Sequence, residues 1–122
     1  MDSRLKQALS FANRSTTLTD QQKIAKLNFD ANLVYAFGGN QFVSDSTLIV
    51  YVDMLLNSGK NQAIVLDYKN FPVLIEDLEK FKENIMDNYF FALNEFNVEM
   101  VRIKKQRDML KLLDVTGESI DQ

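Results

Sequence analysis

The sequence predicts an α+β fold: short N-terminal helices, a small antiparallel β-hairpin or sheet, and a long C-terminal helix with a coiled-coil-like seam. Three observations predict it. Residues 72–113 hold no Gly or Pro after Pro72 and repeat apolar residues at helical spacing. Residues 47–69 are rich in β-branched and aromatic side chains around a turn cluster. Residues 2–13 place Leu5, Ala8, Leu9 and Ala12 at i, i+3, i+4 and i+7, the pattern of a short amphipathic helix.

Asp2 or Ser3 is placed to cap that first helix. Arg14 to Thr17 is polar and hydroxyl-rich and reads as a loop. Thr19 with Gln22 resembles a capping box opening a second helix from Asp20 through at least Leu27. Leu27, Phe29, Ala31, Leu33, Tyr35 and Phe37 then recur at every second position, which predicts a strand over 29–37. The alternative is a helix continuing to Phe37, on the stripe Ile24, Leu27, Ala31 and Val34. Gly38-Gly39-Asn40 is a turn, and 41–44 a short returning strand. Residues 47–56 read as a strand, Asn57 to Lys60 as a turn, and 63–69 as a second strand. Together they predict a β-hairpin covered on both faces.

Pro72 suits the first turn of a helix, where its missing N–H costs nothing. Beyond it the seam runs Leu74, Leu78, Phe81, Ile85, Tyr89, Leu93, Phe96, Met100, Ile103 and Leu110, mostly in steps of three and four. A break near 94–97 is the alternative to one continuous helix. Acid gathers early (Glu76, Asp77, Glu79, Glu83, Asp87) and base late (Arg102, Lys104, Lys105, Arg107, Lys111). That polarity complements the helix dipole and favours antiparallel pairing of two copies. Within one domain, the expected divisions are 1–71 for the first helices and sheet, 72–113 for the helix, and 114–122 for a frayed tail.

Composition narrows the chemistry. The 122 residues are 46% apolar and 25% charged, within the range of ordinary globular chains. A net charge of -3 argues against general nucleic-acid coating. With no Cys there is no disulfide, thiolate zinc site or Cys nucleophile. With no His, Ser-His-Asp catalysis and imidazole ligation are excluded. No glycine-rich phosphate loop is present. No apolar run reaches membrane-spanning length, and the N-terminus lacks a signal-peptide core, so a cytoplasmic address is expected. Abundant Asn, Lys, Ile and Phe are what an AT-rich genome encodes, which points to phage or low-GC bacterial origin, with host cytoplasm or virion as the address of a phage protein.

One constellation carries candidate chemistry. Asp53 lies inside the first predicted strand, and Asp67-Tyr68-Lys69 closes the second. An acid, a hairpin, then acid-x-Lys resembles the signature of the PD-(D/E)XK nucleases. The resemblance covers 47–69 and implies a nuclease in which Asp53 and Asp67 hold Mg²⁺ and Lys69 orients the attacking water or stabilises developing negative charge. Val52 stands where that family has Pro, and only Asp20 and Asp30 are available as an upstream helical acid. The basic group Arg102, Lys104, Lys105, Arg107 and Lys111 offers a second alternative, a nucleic-acid accessory factor. Tyr89-Phe90-Phe91 reads as core or interface packing.

The leading expectation is a non-enzymatic interaction or assembly protein with no cofactor. It would associate with itself or another protein through Leu78, Phe81, Ile85, Tyr89, Leu93, Phe96, Met100 and Ile103.

Overall fold

Among the described residues seven elements follow one another: α1 (Ser3–Asn32), β1 (Val34–Phe37), β2 (Asn40–Val43), α2 (Ser46–Asn57), β3 (Ala63–Leu66), β4 (Pro72–Ile75) and α3 (Leu78–Thr116). The computed structural model describes residues 3–116, with only the backbone described for Phe11, Arg14, Ser15, Thr16 and residues 114–116. The class is α+β, with two small antiparallel sheets and a long C-terminal helix. Residues 117–122 of the expected tail lie outside the described residues; 114–116 continue α3.

The chain divides into two compact units. One, here the helical unit, joins Met1–Leu27 with Phe96–Gln122; the other, the mixed unit, is Asn28–Glu95.

In the mixed unit Gly38 and Gly39 both take positive φ, 59° and 83°, between Phe37 and Asn40, which pair directly. That is the two-residue hairpin turn whose twist matches the strands it joins, and it requires φ > 0 twice. The second hairpin turns at 67–71. Asp67 Oδ1 accepts the N–H groups of Lys69 and Phe71 at 2.9 Å each, and Asn70 sits at φ 64°. Asn tolerates that left-handed region better than most side chains.

The predicted strand over 47–56 is helix α2. Leu48, Val52 and Leu55 recur at steps of four and three and turn into the core. Asp45 caps the helix, its Oδ1 accepting the Leu48 N–H at 2.9 Å. The cap and the core-facing period outweigh the β-branched composition, because burial decides where intrinsic propensity is weak. The hairpin therefore forms between β3 and β4, and not between 47–56 and 63–69.

Pro72 begins β4 and does not open the long helix. The cap of α3 is Asp77, whose Oδ1 accepts the Lys80 N–H at 3.1 Å. The strand expected over 29–37 is partly helix: α1 runs to Asn32 and β1 starts at Val34. The loop expected at 14–17 is also part of α1, where Thr17 Oγ1 donates back to Asn13 O at 2.9 Å. No break interrupts α3 near 94–97.

The core of the mixed unit gathers Phe42, Val52, Val65, Ile75, Leu78, Phe81 and Ile85 from both hairpins, α2 and the start of α3. Phe81 meets Phe37 and Phe42 edge-on, with ring centroids 5.2 and 5.0 Å apart. The fully buried Ser44 donates its hydroxyl to Leu33 O at 2.7 Å and accepts Asn88 Nδ2 at 2.6 Å. The buried hydroxyl is thus satisfied, as burial in a low-dielectric interior requires. In the helical unit the core is Leu18 and Ala25 of α1 with Ile103 and Leu110 of α3, flanked by Phe96 and Met100. Both buried pairs are separated by seven residues, two helical turns, which keeps each pair on one face.

Candidate functional site

The seam residues are covered by the chain itself along much of their length. Leu78, Phe81 and Ile85 are fully buried in the mixed unit, and Ile103 is fully buried in the helical unit. Phe96 and Met100 pack against the core of the helical unit, and Tyr89 is half-buried. Among the predicted interface residues, Leu93 alone is classed as exposed. Phe90 and Phe91, expected in core or interface packing, lie outside the core at 49% and 56% exposure.

The surface left for a partner lies on another face of α3. In the helical unit Val98, Val101 and Leu112 are 43–64% exposed. At the pitch of an α-helix their mean direction is about 170° from that of the buried Phe96, Met100, Ile103 and Leu110. Here α3 is apolar on two opposite sides, one covered by α1 and one in water. Reading one seam from the sequence missed this second face. The visible signal was Val98 and Val101, apolar residues off the seam in a stretch otherwise rich in charge.

The outward face carries charge at its centre. Val98, Val101, Lys105, Asp108 and Leu112 succeed one another by three, four, three and four residues. To one side Lys104, Arg107 and Lys111 form an exposed basic stripe at i, i+3 and i+7. Arg102, also exposed, pairs with Glu99 one turn back at 2.9 Å. The five predicted basic residues thus share one stretch of helix without converging on one face.

The nuclease-like residues are not assembled as the resemblance implies. Asp53 lies on α2, where it holds Lys82 Nζ at 2.6 Å and accepts Asn57 Nδ2 at 3.3 Å. Asp67 shapes the β3–β4 turn with its carboxylate, and Lys69 is a solvent-exposed residue of the same turn. The strand that would carry Asp53 beside Asp67 is a helix. Among the described residues no group of three or more carboxylates is arranged to hold a metal ion. No helix among them is long and apolar enough to cross a membrane.

The chain matches no protein-family model, no curated protein and no solved structure in comparison with each.

Proposed function

We propose that the chain is a non-enzymatic assembly protein that self-associates through the outward face of α3 in the helical unit. The observation that carries this reading is the two-faced helix: Ile103 is fully buried on one side while Val98 and Leu112 are more than half exposed on the other. A helix apolar on opposite sides is normally covered on both. Two helices alone enclose little interior, and two copies of the pair would make a four-helix arrangement.

Charge selects the orientation. Antiparallel pairing on this face sets Val101 against Leu112 of the second copy and Lys105 against Asp108 of the second copy. Parallel pairing would set Lys105 against its own counterpart, and Asp108 likewise, placing like charges together. The compositional bias toward Asn, Lys, Ile and Phe supports a phage accessory or structural protein, acting in host cytoplasm or virion, as the setting.

Sedimentation of the purified chain over a range of concentrations tests the reading. The expected result is a concentration-dependent dimer. Lys105→Glu or Asp108→Lys alone should weaken it tenfold or more, equivalent to about 1.4 kcal/mol. Combining the two swaps should restore it. A wild-type chain monomeric at every concentration would defeat self-association, and a double swap without recovery would defeat the antiparallel register.

A further inference from the structure

In the mixed unit the two hairpins touch through one backbone hydrogen bond and then diverge. Tyr68 N–H donates to Gln41 O at 2.6 Å. Beyond that bond the outer edges of β2 and β3 separate around an open groove of about 470 Å³. The first turns of α2 line it through Thr47, Leu48 and Tyr51. The volume is in the range of sites that accept small or extended ligands.

The register shows which backbone groups face the groove. Asp67 N–H bonds to Phe71 O, so the hydrogen-bonded pairs of the second hairpin are 67/71, 65/73 and 63/75. Ile64 and Leu66 therefore turn their N–H and C=O groups away from β4, along the free edge of β3. Tyr51 Oη donates to Ile64 O at 3.2 Å, which leaves the Ile64 N–H and both Leu66 groups for another strand. On the opposite bank Gln41 and Val43 point outward by the same alternation, and Gln41 O already holds Tyr68. Along the outer edge of β4, on the other side of the second hairpin, Pro72 has no N–H to offer, which leaves that edge fewer donors than the free edge of β3. The exposed side chains of Ile64 and Leu66, at 52% and 57%, flank the open edge.

We infer that this groove accepts an extended peptide of another protein, added as a strand along the free edge of β3. The peptide is apolar in its middle and basic at its ends. The chemistry follows from the lining: Asp45 and Asp67 are its charged side chains, one toward each bank, with no basic residue among the lining positions. The chain's own segment 117–122 carries Glu118 and Asp121 and no base, so its charge is wrong for the groove. A second copy aligned edge to edge would bring acidic lining against acidic lining. The inference lies in the mixed unit and is independent of self-association through α3.

The test is a fluorescence-anisotropy titration of the full chain with a labelled heptapeptide of alternating valine and threonine flanked by lysines. The expected result is saturable binding in the micromolar range. A version N-methylated at alternate backbone nitrogens, unable to complete the ladder, should bind at least tenfold more weakly. A glutamate-flanked version should lose a similar factor at low salt. Leu66→Arg, a change at an exposed position, should weaken the lysine peptide tenfold by closing the edge with a like charge. Equal binding of the parent and N-methylated peptides would overturn strand addition. Equal binding of the lysine- and glutamate-flanked peptides would overturn the basic chemistry. Absence of saturable binding to the wild-type chain would overturn the site.

Discussion

In the mixed unit Phe42, Val52, Phe81 and Ile85 are wholly covered by residues of that unit, whereas in the helical unit Val98 and Leu112 stand more than half in water. Both units draw on α3, yet they use it differently. Where hairpins and α2 surround it, the helix offers a stripe through Leu78, Phe81 and Ile85 that its own unit closes over, with Phe90 and Phe91 further along left exposed. Where only α1 accompanies it, one stripe is closed and the opposite one is open. The difference shows that an apolar repeat does not by itself designate an interface; which faces the neighbouring elements reach decides it. Four tyrosines, Tyr35, Tyr51, Tyr68 and Tyr89, all lie in the mixed unit, and the chain has no Trp. Tyrosine fluorescence therefore reports on that unit alone, while helical circular dichroism reports on both.

The largest expected effect breaks the closed unit. Phe81→Ala removes a fully buried ring that meets Phe37 and Phe42 edge-on. Large-to-small changes of this kind cost about 3–5 kcal/mol, through lost transfer energy and the cavity left behind. The tyrosine-monitored urea transition should move by that amount. A shift below about 1 kcal/mol would mean that the core of the mixed unit is not packed around this residue.

A second change addresses the open face. Val101→Glu places a charge on the outward side of α3 without entering either core. It should raise the dimer dissociation constant at least tenfold, about 1.4 kcal/mol, by sedimentation. The tyrosine transition of the mixed unit should stay within about 0.5 kcal/mol of wild type, as for most surface substitutions. Retained dimerisation would move the interface elsewhere.

These contrasts also mark what could be read from the chain. The α+β class, the Gly38-Gly39 turn and the long unbroken helix were legible because each rests on a local rule: positive φ, or an uninterrupted helical period. The 47–56 segment was not. Its Ile49, Val50, Tyr51 and Val52 favour a strand locally, and burial of Leu48, Val52 and Leu55 against distant residues overrides that preference. Pro72 misled for the opposite reason. It suits a helix start and an edge strand equally, and the turn built by Asp67 and Asn70 decides between them. At the candidate sites, acid-x-Lys was legible as a motif but depended on the misread strand. The outward face of α3 was hidden because one seam already accounted for the period. The groove beside β3 was illegible, since it depends on how two hairpins diverge.

A smaller effect tests that misread segment directly. Asp45→Ala removes the carboxylate that accepts the Leu48 N–H and leaves a donor of the first turn of α2 without its side-chain partner. Loss of such a cap costs about 1 kcal/mol. The tyrosine-monitored transition should register it, and the dimer dissociation constant should not. No change in the transition would mean that water replaces the cap at no cost.

The smallest effect concerns Asp53, the residue with the most chemical promise in the sequence. Its carboxylate holds Lys82 Nζ at 2.6 Å, a short contact that invites a large energetic role. The side chains of Lys82 and Asp53 are 30% and 45% exposed, however, so solvent screens the attraction and each side chain loses freedom in making it. A double-mutant cycle of Asp53→Ala with Lys82→Ala should give a coupling of about 0.5 kcal/mol or less. That is a small fraction of the Phe81 effect, although both link α3 to the rest of the same unit. A coupling near 2 kcal/mol would show that the pair is far drier than its exposure indicates, and would make charge rather than ring packing a principal tie between α2 and α3.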